Sequence, residues 1–230
     1  MSLFVIGDLH LSFSVDKPMD IFKGWDDYLT RIEKNWNAVV TENDTVIVPG
    51  DISWAMSLSE AEKDFDFLNN TLNGKKIIMK GNHDYWWNTF SKMNAFFNEK
   101  GYDKISVLHN NAYLVEGVAV AGSRGWFYDD TAPADKKVIL REAARLRTSI
   151  AEAKKLSDTV LVFLHYPPIS ETQRCDEILD EIIGHGIERC WFGHLHGFVS
   201  PANAKIDYMG VSFNLVSADK LEFCPKQIVI

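Results

Sequence analysis

Five short runs of the chain are almost continuously apolar: LFVI at 3–6, TVIV at 45–48, KIIM at 76–79, TVLVFL at 159–164 and CWF at 190–192. Runs without polar alternation predict strands covered on both faces, as in a sheet flanked by helices. Between them the period changes to that of a helix. Ser57 and Glu60 have capping-box spacing and precede Leu58, Ala61, Phe65, Leu68 and Leu72 on one face. Trp86, Phe90, Met93 and Phe97 form a second stripe, and Ile139, Ala143, Leu146, Ile150 and Ala153 a third. Alternating strands and helices predict an α/β protein.

Two regions break that rhythm. Residues 105–122 read as closely spaced strands (ISVLH, AYLVEG, VAVAGS), and the chain after Gly193 reads as all strand through AKIDYM, VSFNLVS and LEFCPKQIVI. A pair of mixed sheets covered by helices fits this better than one parallel sheet. No linker, charge block or internal repeat divides residues 1–230, so a single domain is expected.

Composition narrows the class. At 46% apolar and 24% charged residues, the chain is an ordinary folded protein and not a low-complexity one. The formal net charge of −8 disfavours general nucleic-acid binding through a basic surface. Cys175, Cys190 and Cys224 show no CxxC spacing, and reduced thiols in a cytoplasmic setting are the simple reading. The opening MSLFVIGDLHLSFS lacks a basic segment before its short apolar run, so it reads as a first strand rather than a signal peptide. No segment approaches the ~20 apolar residues of a membrane span.

The candidate chemistry sits where the apolar runs end. Gly7-Asp8-Leu9-His10, Gly50-Asp51, Gly81-Asn82-His83-Asp84, His165-Tyr166-Pro167-Pro168 and Gly193-His194-Leu195-His196 each follow a predicted strand. In open α/β sheets, ligands bind outside the carboxyl ends of the strands. These segments hold five of the seven histidines, leaving His109 and His185 to ordinary structural roles. Carboxylate, amide and imidazole without thiolate suit Mn, Fe, Co, Ni or Zn rather than a structural zinc site. There are enough donors for two ions, one carboxylate bridging.

The order D-x-H, GD, GNH[DE], H and GHxH resembles the calcineurin-like metallophosphoesterases, with blocks spread over most of the chain. The resemblance implies a four-layer α/β/β/α sandwich of two mixed sheets and a dinuclear centre of divalent ions, manganese favoured. By motif position, Asp8, His10 and His196 would hold one ion and Asn82, His165 and His194 the other, with Asp51 bridging. His83 would stand beside the reacting phosphate, oriented by Asp84. The second block departs from the pattern, since Ile-Ser-Trp follows Gly50-Asp51.

The implied activity is that of a metal-dependent phosphohydrolase acting on a small-molecule phosphodiester or phosphomonoester. Two such ions clamp phosphoryl oxygens, and a water between them ionises near neutral pH and attacks phosphorus in line. His83 can then protonate the leaving oxygen. A nucleotide-sugar or lipid-precursor pyrophosphatase is an alternative within the enzymes. A non-catalytic metal-binding scaffold of the same fold is the alternative outside them. G-x-S-x-G and the Walker loop are both absent. Candidate substrate contacts are Trp54, Tyr85 and Arg124, the last in the stretch GSRGWFY at 122–128. Residues 11–28, with Phe13, Lys17, Phe22, Trp25 and Tyr28, read as a long loop able to act as a lid.

Overall fold

The computed structural model describes residues 1–126 and 135–230. The chain divides into two compact units, Met1–Val107 with Val216–Ile230, and Leu108–Leu215. Phe127 and Tyr128 lie outside the described residues.

The first unit contains strands β1 (Leu3–Val5), β2 (Thr45–Val48), β3 (Lys75–Ile78) and β4 (Ile105–Val107) and helices α1 (Tyr28–Val39), α2 (Glu62–Asp66) and α3 (Phe90–Lys100). The last strand of the chain, β11 (Lys226–Ile228), completes its sheet in the order β11-β1-β2-β3-β4. β1 to β4 run parallel, with Phe4 opposite Val46 and Ile47 opposite Ile77, while β11 is antiparallel to β1. Phe4, Val46, Val48 and Ile78 face a core shared with Tyr28, Ile32 and Trp36 of α1, Phe65 of α2 and Met93 and Phe97 of α3. Leu3, Val5 and Ile47 point the other way and are buried too, which is why these strands carry no polar alternation.

The second unit contains β5 (Tyr113–Val115), β6 (Val118–Ser123), β7 (Val160–Leu164), β8 (Arg189–Phe192), β9 (Lys205–Tyr208) and β10 (Val211–Leu215). Its helices are α4 (Asp135–Ala153), α5 (Asp176–Gly184) and the single turn α6 (Pro201–Ala204). The six strands follow the order β5-β6-β7-β8-β10-β9, with β6, β7, β8 and β10 parallel and the outer strands antiparallel. Both edge hairpins turn on two residues at positive φ, Glu116-Gly117 (51° and 82°) and Met209-Gly210 (47° and 83°), the twist that suits paired strands. Ile139, Ala143, Leu146 and Ile150 of α4 pack with Ala119, Ala121, Val160 and Val162. The result is two mixed sheets flanked by helices, an α/β fold.

Several sequence expectations are corrected. The strands of 105–122 do not form one group, because β4 joins the first sheet and the β5–β6 hairpin the second. The stripe beginning at Trp86 is not one helix: Thr89 caps α3, its side chain accepting from the Lys92 N–H, and Trp86 precedes it in a loop. Ser57 Oγ accepts from the Glu60 N–H at 3.2 Å, yet regular helix starts only at Glu62, and it ends in a π-helical turn over Phe67–Thr71. After Gly193 the chain is not all strand. Ser200 and Pro201 start α6 as N-cap and first residue, and Glu222 and Phe223 adopt positive φ (52° and 61°), which breaks LEFCPKQIVI before β11.

Candidate active site

In the first unit, the segments leaving β1, β2 and β3 lie side by side because their strands are parallel neighbours. Backbone bonds stitch them together: Asp8 N–H to the Gly50 carbonyl (3.0 Å), His10 N–H to Asp51 (3.0 Å), Leu11 N–H to Ile52 (2.8 Å) and Trp54 N–H to Leu11 (3.0 Å). Asp8, His10 and Asp51 take left-handed φ of 58°, 48° and 50°, so the chain turns sharply as it leaves each strand. Gly81 packs so closely on Asp51 that a Cβ there would sit 2.1 Å from Asp51 Oδ1, which only glycine allows.

The side chains gathered there are buried. Asp8, Asp51 and Asp84 are 0%, 1% and 0% exposed and His10 only 2%, far beyond what carboxylates tolerate without partners. Donor atoms of Asp8 and His10 lie within 4.8 Å of each other, and His10 Nε2 is 3.8 Å from Asp51 Oδ2. Burial, followed by repulsion from Asp84 and Asp8, pushes the Asp51 carboxyl up to about 9, although the His83 N–H donates to its Oδ1 at 2.8 Å. A carboxylate in that position gains from a cation placed against it. Asn82 and His83 are half-buried on the same loop.

Asp84 accepts five hydrogen bonds. Its Oδ2 takes the N–H groups of Asp51 (2.9 Å) and Gly81 (2.7 Å), and its Oδ1 those of Ile52 (2.8 Å), Ser53 (3.2 Å) and the Trp86 indole (3.0 Å). The His83 imidazole is not among these donors. Asp84 therefore clamps the Asp51 loop to its own loop. Burial still raises its carboxyl to about 6 against the opposing hydrogen bonds.

Trp54 is stacked on His10 (ring centres 4.9 Å, 24° between planes) and tilted against His83 (4.3 Å), whereas Tyr85 is exposed with its ring 6.2 Å from His83. Sequence reasoning missed Asp64 of α2. Fully buried, it accepts from the Ser53 hydroxyl and from the Phe13 N–H (2.9 Å), tying the segments after β1 and β2 to the helix. Its signal was an acid on the apolar face between Ala61 and Leu68. The segment 11–28 is correspondingly pinned: Trp25 and Tyr28 are buried, and the Tyr28 hydroxyl donates to the His10 carbonyl at 3.0 Å.

In the second unit, His165 follows β7, and His194 and His196 follow β8. His165 is fully buried, with its ring 5.2 Å from that of His194, and donor atoms of the two lie within 4.8 Å. His194 has φ 73°, and the Gly193 N–H donates to the His165 carbonyl at 3.0 Å, so the two strand ends are locked together. Tyr166 packs 4.5 Å from His194 and 5.3 Å from Trp126. Arg124, at the end of β6, directs its guanidinium to α4, with Nη2 3.8 Å from Glu142 Oε1, and lies over the Trp126 ring at 4.6 Å. His185 Nδ1 bonds the Glu181 carbonyl of α5, and the His109 backbone N–H donates to Asn111 Oδ1.

The thiols of Cys175, Cys190 and Cys224 are free. Among the described residues, no helix is long and apolar enough to cross a membrane.

None of the curated proteins matches the chain. Among solved structures, a protein of unknown function from Aquifex aeolicus superposes with a TM-score of 0.55 at 16% identity, covering 98% of this chain and 95% of that one. A Thermus thermophilus structure gives 0.57 at 12% identity over 98% and 97%. At such identities the likeness is one of fold. The sequence profile of the calcineurin-like phosphoesterases matches residues 1–198, and the chain belongs to that family.

Proposed function

We propose that the protein is a metal-dependent phosphohydrolase acting on small phosphate esters, with residues 1–230 working as one catalytic domain. The observation that carries this is the donor set of the first unit: Asp8, His10 and Asp51 are buried, turned out of their strands at positive φ and fixed loop to loop by backbone hydrogen bonds. Oxygen and imidazole donors without thiolate fit manganese, iron, cobalt, nickel or zinc. By motif position, Asp8, His10 and His196 would hold one divalent ion and Asn82, His165 and His194 the second, with Asp51 serving both; manganese is the metal we favour.

When bound, the ions supply positive charge against the phosphoryl oxygens as negative charge develops there. The chain supplies the rest. His83 delivers a proton to the oxygen of the departing group, and Trp54 holds the ring from one side. Asp84 keeps the His83 loop in place through its backbone bonds rather than through the imidazole. Free thiols favour a reducing, cytoplasmic setting.

The test is Asp51→Asn, which removes the one negative charge assigned to both ions. Manganese stoichiometry and hydrolysis of a chromogenic phosphodiester are both expected to collapse together. An Asn variant with full metal content and wild-type turnover overturns the assignment.

A further inference from the structure

Resting on the phosphohydrolase reading above, we propose that Lys17, seated on Trp54, is a subsite for a second anionic group of the substrate. The preferred ester then carries a carboxylate or a further phosphate besides the scissile one.

The geometry is local to the first unit. The Lys17 ammonium lies over the Trp54 indole, 4.9 Å from its ring centre, and the same indole is 4.3 Å from His83 and stacked on His10. One rigid ring thus sets the distance between a fixed cation and the imidazole assigned to the leaving group. Lys17 itself is exposed, and among the described residues no carboxylate forms an ion pair with it. A ring face positions an ammonium without neutralising it, so its charge stays available to a ligand.

The turn that carries Lys17 is anchored at both ends. On one side, the Phe13 N–H is bound by buried Asp64; on the other, Met19 is only 7% exposed. Within the turn, the Lys17 N–H donates to the Val15 carbonyl at 3.0 Å, and Pro18 limits the backbone that follows. The cation is therefore presented by a braced turn, so little ordering is required on binding. The carboxyl side chains of Asp8, Asp51 and Asp84 in the same unit are acidic and repel any substrate anion that no cation meets. A compact ammonium with three donors accepts carboxylate or phosphate alike, so the experiment must separate the two.

Isothermal titration of the manganese-loaded protein with the non-hydrolysable ethylphosphonate, 3-phosphonopropionate and ethane-1,2-bisphosphonate reads the subsite without turnover. The wild type is expected to bind one or both of the doubly anionic ligands about fivefold more tightly than ethylphosphonate. Preference for phosphonopropionate identifies a carboxylate, and preference for the bisphosphonate a phosphate. Lys17→Gln should bring the affinity ratio close to one, Lys17→Arg should keep it, and Lys34→Gln, the same charge change on exposed α1 surface, should leave it as in the wild type. Added salt should erode the ratio. A ratio near one in the wild type, or an undiminished ratio in Lys17→Gln, overturns the subsite. Chromogenic diester and monoester assays on the same samples separate the two ideas. Turnover without the ratio sinks only the subsite. The Lys17-dependent ratio without turnover upholds the subsite as anion recognition and sinks the phosphohydrolase reading.

Discussion

Asp84→Asn separates a loop clamp from an imidazole orienter. In the wild type, Oδ1 receives three N–H groups and Oδ2 two. An asparagine can offer its one carbonyl to the three donors from Ile52, Ser53 and Trp86. Its amide nitrogen then faces the N–H groups of Asp51 and Gly81, two donors against a donor. Leaving a buried donor unsatisfied costs about 1–3 kcal/mol. Two of them, offset by relief from burying a charge, lower stability by about 3 kcal/mol. That is a large share of the ~5–15 kcal/mol of a whole domain. The urea midpoint of the first transition, followed by tryptophan fluorescence, should fall by about 1 M. Manganese affinity should fall with it, because Asp51 loses the acceptor that fixes its backbone. If Asp84 instead acted on the His83 ring, the variant would keep its midpoint and metal and shift only the pH profile of kcat. An unchanged midpoint refutes the clamp.

Three further outcomes follow from other parts of the molecule. Lys76 is fully buried with Nζ on the Leu72 and Gly74 carbonyls (2.6 and 2.7 Å), and burial, followed by the Lys104 charge, lowers it to about 7. The unfolded chain, with lysine near its ordinary value of about 10.4, binds the extra proton between those limits, so stability should rise from pH ~7 to ~10.4 by up to about 4 kcal/mol. Lys76→Met should flatten that slope, and parallel pH–stability curves for the two proteins would disprove it. His83→Ala should keep its metals but lose about 10²–10⁴ in kcat on alkyl leaving groups, and less on an activated aryl group, in steady-state assays. Arg124→Lys should lower Tm with kcat/KM unchanged, because the guanidinium is engaged by Glu142 and Trp126; a raised KM would return Arg124 to the substrate.

Strands β1, β2, β3, β7 and β8 were legible because their apolar runs are buried on both faces, and a run such as TVLVFL has no other ready explanation. The strand-end segments were legible for a related reason, since polar residues directly after such a run have left the sheet. The helices were read less well. α1 buries Tyr28, Ile32 and Trp36 at four-residue spacing inside a polar stretch, and three large side chains suffice where a sequence pattern shows mostly charge. Trp86 matched the stripe of α3 by spacing alone, but its indole bonds Asp84 and holds it outside the helix. The hydrogen bonds of Asp84 were hidden for a deeper reason. Four of its five donors are backbone N–H groups, which every residue but proline carries and no sequence advertises.

The left-handed backbone at Asp8, His10, Asp51 and His194 has a consequence for the family history of this chain. A side chain in that conformation costs about 1 kcal/mol or more, and glycine largely escapes the cost. Four such positions, kept as aspartate and histidine, are places where the chain forgoes stability that a single substitution would restore. A lineage released from selection for its chemistry would drift there first, toward glycine or asparagine, and would grow sturdier as it lost activity. Thermal hardiness combined with glycine at those four exits is therefore the expected mark of a descendant that has retired from catalysis.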